Sequence, residues 1–155
     1  MIQYKIVCLI LLATIATPWC LKTTVNFTAG VDKVDYSIDG TLIAVTSITN
    51  NQVTIYDTIN FFLLHTYTPS SGTATVARFS RDNANLVVGT TNGRYHVLDL
   101  ASNPFSATFS HTYMPQANDD QIVDLAINYD NTKILLCFTN DNDLSVVTNW
   151  ATSGS

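Results

Sequence analysis

Three histidines and twelve aspartates are the side chains of this sequence best able to do chemistry. His65, His96 and His111 raise the question of zinc, which takes three or four converging ligands. No His-x-His pair and no Cys-x-x-Cys pair stands among them, and His65 and His111 recur at matching places in two similar segments. Asn140-Asp141-Asn142-Asp143 and Asp119-Asp120 are rich in the oxygen that calcium prefers. The first of these lacks the glycine and the distal glutamate of a calcium loop, and Asn and Asp are ordinary turn residues. For catalysis there is no Gly-x-Ser-x-Gly elbow, no phosphate-binding loop and no His-Glu-x-x-His. The expectation is a chain with no catalytic, cofactor or metal site.

Charge narrows the partners. Seven basic and twelve acidic residues give a net charge of −5. Lys22, Lys33, Arg78, Arg81, Arg94 and Lys133 are scattered, whereas a surface that tracks phosphates needs several cations on one face. Nucleic acid is therefore not an expected partner. All twelve acids are Asp and none is Glu. Glu favours helices and Asp favours turns and caps, so the bias points to strands and loops.

The elements that would position any site begin after a leader. Ile6 to Ala16 is an unbroken apolar run preceded by Lys5 and closed by Pro18. A basic residue, a short apolar core and small residues beyond it make a signal peptide over residues 1–20, with cleavage near 16–20. Spanning a bilayer takes about 20 apolar residues, so the run is too short to be an anchor, and no membrane span is expected in the mature chain. Export implies a secreted, extracellular protein in an oxidising compartment. There Cys20, if retained, and Cys137 form a candidate disulfide, with a buried lone Cys137 as the other reading. Asn26-Phe27-Thr28 is a candidate N-glycosylation site.

Internal repetition is the strongest signal in residues 21–155. Val34 to Gly40 followed by Leu42 to Val45 can be laid over Val76 to Asn83 followed by Leu86 to Gly89. Both overlie Val123 to Asn131 followed by Ile134 to Cys137. Each segment is an alternating strand, a turn on Asp with Gly or Asn, and a second apolar strand, which is hairpin chemistry. Third strands follow at Val53 to Asp57, Tyr95 to Asp99 and Leu144 to Thr148, and outer strands at Phe61 to Tyr67 and Phe105 to Tyr113. The turn residues Asp39 and Asp82 are 43 residues apart, and Asp57 and Asp99 are 42 apart. Asp130 follows Asp82 by 48, the excess falling in the loop from Pro115 to Asp120.

Four short strands at this spacing resemble the WD-repeat family of β-propellers. Tyr36-Ser37-Ile38-Asp39-Gly40 and Phe79-Ser80-Arg81-Asp82-Asn83 are similar to its aromatic-Ser-x-Asp-Gly turn, and Tyr56-Asp57 and Leu98-Asp99 to its Trp-Asp pair. No repeat has the Trp, the third has Val147-Thr148 instead, and the family's Gly-His is missing. Ala44-Val45-Thr46 and Asn51 to Asp57 also resemble propellers with Tyr-Val-Thr-Asn repeats. Both resemblances imply one fold: an all-β, incomplete β-propeller of three four-stranded antiparallel blades, at about 31–67, 75–113 and 121–149. They imply that Asp39, Asp82, Asp130, Asp57 and Asp99 hold turns and do not catalyse.

Propellers close with four to eight blades. Three blades leave two apolar faces bare, so the chain is expected to be a fragment of a larger propeller or to close a ring by self-association. In the second case Lys22 to Thr28 reads as a leading strand that completes a partner's last blade. Trp150 is expected to be an edge residue covering the last blade. The innermost positions are read as Val34, Tyr36, Val76 and Phe79, which favours a scaffold that binds a protein or glycan through its rim loops. The alternatives are a propeller enzyme of the lactonase-like type, and a truncated product without independent activity.

Overall fold

A computed structural model of the chain describes residues 30–101, 106–112, 120–139, 144–148 and 150. The leader, Cys20, Asn26, the strand expected at Lys22 to Thr28 and the Asn140 to Asp143 turn lie outside the described residues. So does the loop from Pro115 up to Asp119. Among the described residues there is no helix, and so none long and apolar enough to cross a membrane.

The strands are β1 (Lys33–Tyr36), β2 (Leu42–Ser47), β3 (Gln52–Asp57), β4 (Leu63–Tyr67), β5 (Ala74–Phe79), β6 (Asn85–Thr90), β7 (Arg94–Asp99), β8 (Ser106–Thr112), β9 (Ile122–Ile127), β10 (Lys133–Phe138) and β11 (Leu144–Thr148). They form three antiparallel sheets, each a simple meander. Sheet 1 is β1-β2-β3-β4, sheet 2 is β5-β6-β7-β8 and sheet 3 is β9-β10-β11. The expectation of an all-β chain of antiparallel ribbons therefore holds. The first outer strand is shorter than expected, because Phe61 sits at φ 56° in the turn that precedes β4. The ladder from β3 to β4 shifts register between Ile55 and Tyr56.

The sheets stack face to face, with sheet 2 in the middle. Side chains alternate along a strand, so each face collects every second residue. Ala44, Val53 and Ile55 of sheet 1 meet Ala74, Ala77, Phe79, Leu86, Val88 and Leu98 of sheet 2 in one core. The other face of sheet 2, with Val76, Val87, Tyr95 and Val97, meets Ile122, Leu125, Ile134, Leu136 and Phe138 of sheet 3. Gly89 permits the second approach: a Cβ there would stand 2.7 Å from Ile122 Cγ2 and 2.9 Å from Val76 Cγ1.

Two sequence expectations need correction. Trp150 does not cover an edge; it is completely buried in the core between sheets 2 and 3. A large apolar ring gains more from a closed seam than from a rim. Val76 and Phe79 also lie in the inter-sheet cores, while Val34 and Tyr36 lie exposed on the outer face of sheet 1.

Candidate functional site

The site is built on the turns that open each sheet. In sheet 1, Asp39 Oδ1 accepts hydrogen bonds from the Ser37 hydroxyl (2.6 Å), the Thr41 amide (3.0 Å) and the Thr41 hydroxyl (2.9 Å). The Leu42 amide returns to Ser37 Oγ at 2.8 Å. Sheet 2 repeats the pattern: Asp82 Oδ1 accepts from Ser80 Oγ (2.5 Å) and the Ala84 amide (3.0 Å), and the Asn85 amide donates to Ser80 Oγ (2.9 Å). In sheet 3 Asn128 replaces the serine, taking the Lys133 amide at 2.7 Å, and Asp130 takes the Thr132 amide at 3.1 Å. Each turn puts its fourth residue at positive φ: Gly40 at 71°, Asn83 at 58° and Asn131 at 57°. Gly and Asn are the residue types that tolerate this region.

Hydrogen bonds donated to a carboxylate favour its charged form. The Ser37 hydroxyl, then the Thr41 amide and hydroxyl, hold Asp39 below the usual carboxylate range. The Thr132 hydroxyl and amide do the same for Asp130. At Asp82, burial pushes upward and is outweighed by the Ser80 hydroxyl and the Ala84 amide. Asp57 closes the next turn, accepting from the amides of Asn60 (2.8 Å), Ile59 (2.9 Å) and Phe62 (3.1 Å), and is lowered mainly by Asn60. Asp99 accepts from the Ala101 amide at 2.8 Å. All five aspartates are engaged in turns.

The turns are also tied to one another. The Ile38 amide of sheet 1 donates to Asn83 Oδ1 of sheet 2 at 2.8 Å, and the Arg81 amide of sheet 2 donates to Asn131 Oδ1 of sheet 3 at 2.8 Å. The same bond thus recurs at matching positions of two seams. It aligns Ile38, Arg81 and Tyr129, one from each turn, in a row at one end of the stack. All three are exposed, Tyr129 at 85%, and the Arg81 guanidinium lies 5.9 Å from the centre of the Tyr129 ring. That is cation–π distance.

Behind this row a cleft of about 240 Å³ opens between the first strands, lined by Asp35, Tyr36, Ile38, Arg78, Arg81 and Leu125 among others. Arg78 on β5 reaches both neighbours: Asp124 on β9 at 3.0 Å and Asp35 on β1 at 3.9 Å. Asp35 also accepts the Phe79 amide at 3.0 Å. Lys33 on β1 passes over β5 to Asp124 (3.9 Å) and to the Val123 carbonyl of β9. The three first strands therefore lie side by side. These pairs are partly exposed, so each contributes about 0–1 kcal/mol to stability. The cluster was not anticipated from the sequence. Arg78 inside the apolar strand Thr75 to Phe79 was its one visible signal.

The histidines part company. His96 is almost fully buried between sheets 1 and 2, where Tyr67 Oη lies 2.9 Å from its Nδ1 and its Nε2 makes no hydrogen bond among the described residues. Burial, with the charge of Arg94, lowers its pKa, and the Ser71 backbone acts weakly against them. Burial pushes the Tyr67 hydroxyl up to about 12. His65 lies on β4, and His111 lies on β8. Among the described residues no three His, Cys or Asp side chains come together as a metal site. Cys137 is half-buried on the outer face of sheet 3, and its candidate disulfide partner is outside the described residues. No family model and no curated protein matches the chain.

Proposed function

We propose that this chain is a secreted, non-catalytic interaction scaffold whose sheets are consecutive blades of an incomplete, WD-repeat-like β-propeller. Its partner is a protein or a glycan, bound at the end of the stack where the three latched turns meet. The repeated Asp turn and the adjacency of β1, β5 and β9 support the propeller reading. The apolar run behind Lys5 supports export.

The observation that carries the binding reading is the row Ile38, Arg81, Tyr129, held rigid by Asn83 and Asn131 beside the first-strand cleft. Tyr and Arg concentrate binding energy at interfaces, because both bring large, low-entropy contact area with a polar tip. The turns beneath them are already ordered, so little freedom is lost on binding. A screen of the exported protein against glycan and cell-surface protein arrays tests this. Saturable binding that falls about tenfold or more in Tyr129→Ala and Arg81→Ala, with melting unchanged, is expected. Binding indifferent to both substitutions refutes the reading.

The second reading, a propeller enzyme of the lactonase-like type, draws on Asp35 and Asp124 converging on Arg78 in the cleft. Hydrolysis of simple lactones that is lost in Asp35→Asn would favour it over the scaffold.

A further inference from the structure

His96 stands where the chain crosses from sheet 1 to sheet 2. It pairs with Val88 across the β6–β7 ladder, on the face of sheet 2 that meets sheet 1, and is only 1% exposed. The crossover from Thr68 to Thr73 joins β4 to β5 beside it, and four hydrogen bonds clamp its end to the neighbouring turns. Asn92 Nδ2 donates to Ser71 Oγ (2.8 Å), and the Thr73 amide to Thr91 Oγ1 (2.9 Å). The Thr91 amide returns to the Thr73 carbonyl (2.9 Å), and the Ala74 amide donates to Asn51 Oδ1 (3.0 Å). Pro69 is buried, and a Cβ on Gly72 would stand 2.4 Å from Asn92 Oδ1, so the segment lies tight against sheet 2.

This place suits His96 only while it is neutral. Its Nδ1 shares a hydrogen bond with Tyr67 Oη at 2.9 Å, and its Nε2 has no partner among the described residues. If the Tyr67 hydroxyl donates, a proton added at Nδ1 reverses that bond and orphans the phenol hydrogen. If Nδ1 donates, the proton goes to Nε2, which makes no hydrogen bond; the Ser71 backbone favours the charge only weakly. Either tautomer ends with a buried charge and an unmade hydrogen bond.

No carboxylate compensates. β2, β6 and the crossover carry no charged residue. β4 brings Tyr67 and His65, and β7 brings Arg94, whose charge opposes a second cation. Asp57, Arg78 and Asp99 belong to the opposite end of their strands, toward the Asp turns, and His111 of β8 stands opposite Tyr95 in the ladder.

We propose that the crossover from Thr68 to Thr73 is an acid-released strap: proton uptake by His96 frees it and Tyr67 from sheet 2 and opens that end of the seam between sheets 1 and 2. An exposed histidine titrates near about 6.5, whereas burial and Arg94 hold His96 lower while the strap is closed. The closed form is therefore fully favoured above that pH and loses ground as pH falls toward the closed-state value. By about pH 5 the open form gains at most about thirtyfold, the ratio of charged to neutral ring in an unburied histidine. The far end of the seam holds, because Asp39 and Asp82 stay ionised in their turns at this pH. The strap is independent of rim binding and of the propeller reading.

Native-state hydrogen exchange on the full chain, between about pH 7.5 and about pH 5, tests this once rates are corrected for the intrinsic pH dependence of exchange. Protection of the Thr73, Ala74 and Thr91 amides should fall between about threefold and about thirtyfold in acid, while the Ile38 and Arg81 amides keep theirs. His96→Gln takes up no proton and should hold the same strap protection at both pH values. Arg94→Gln removes the like charge and should shrink the loss, which keeps the idea testable should His96→Gln fail to fold. Strap protection unchanged in acid, or an equal loss at Ile38 and Arg81, overturns the proposal. So does a loss that persists in His96→Gln, that Arg94→Gln leaves unmoved, or that vanishes in His65→Gln.

Discussion

Trp150 offers the sharpest test of how sheets 2 and 3 are joined. Its ring is fully buried among Val76, Val87, Tyr95, Val97 and Ile134, and its Nε1 has no hydrogen-bond partner among the described residues. Truncating a buried Trp to Ala costs about 3–5 kcal/mol, from lost transfer energy and the cavity left behind. The unpaired N–H is itself a burden of about 1–3 kcal/mol that any apolar replacement removes. Taking both at mid-range, Trp150→Ala should destabilise by about 2 kcal/mol and Trp150→Phe by only about 1 kcal/mol, against a domain total of about 5–15 kcal/mol. Urea unfolding followed by far-ultraviolet circular dichroism measures both differences. Trp150→Ala within about 0.5 kcal/mol of the parent, the size of a surface substitution, would refute the buried seam. So would Phe proving as costly as Ala.

The other predictions concern packing and titration. Gly89→Ala forces a methyl against Ile122 and Val76, and should cost about 1–3 kcal/mol in the same unfolding assay. His96 has a folded pKa below 6.5, so the unfolded chain takes up its proton first as pH falls. Its stabilising effect is therefore complete above pH 6.5 and is lost as the pH drops toward the folded value, a slope in the urea midpoint that His96→Gln should flatten. Asp82 is also depressed, so its contribution is present above pH 3.8 and disappears below it. Asp82→Ala should melt lower than the parent at neutral pH, and the two melting curves should converge in acid.

The sheets and their opening turns were readable in the sequence because their causes are local. Alternation in Val123 to Ile127 marks a strand, and Asp39 or Asp82 followed by Gly or Asn marks the turn after it. The candidate site was less readable because its bonds span 45 to 50 residues. Asn83 and Asn131 announce themselves as turn formers, and nothing local says that their amide oxygens face a neighbouring sheet. Arg78 likewise pairs not with the nearby Asp82 but with Asp35 and Asp124, which become its partners only when three first strands converge. Trp150 follows β11 without a periodic pattern around it, so its place in the core depends on a seam that exists only after sheets 2 and 3 meet.

Because each sheet runs its strands in chain order, every ladder joins segments that leave synthesis one after another. Such neighbours find each other across short loops, which lose little entropy on closing. The chain can therefore assemble as it is made, with the amino-terminal ribbon complete before the middle one emerges. Only the seams between ribbons must wait for distant residues, and they are the step at which a slowed or crowded chain would stall with greasy surface showing.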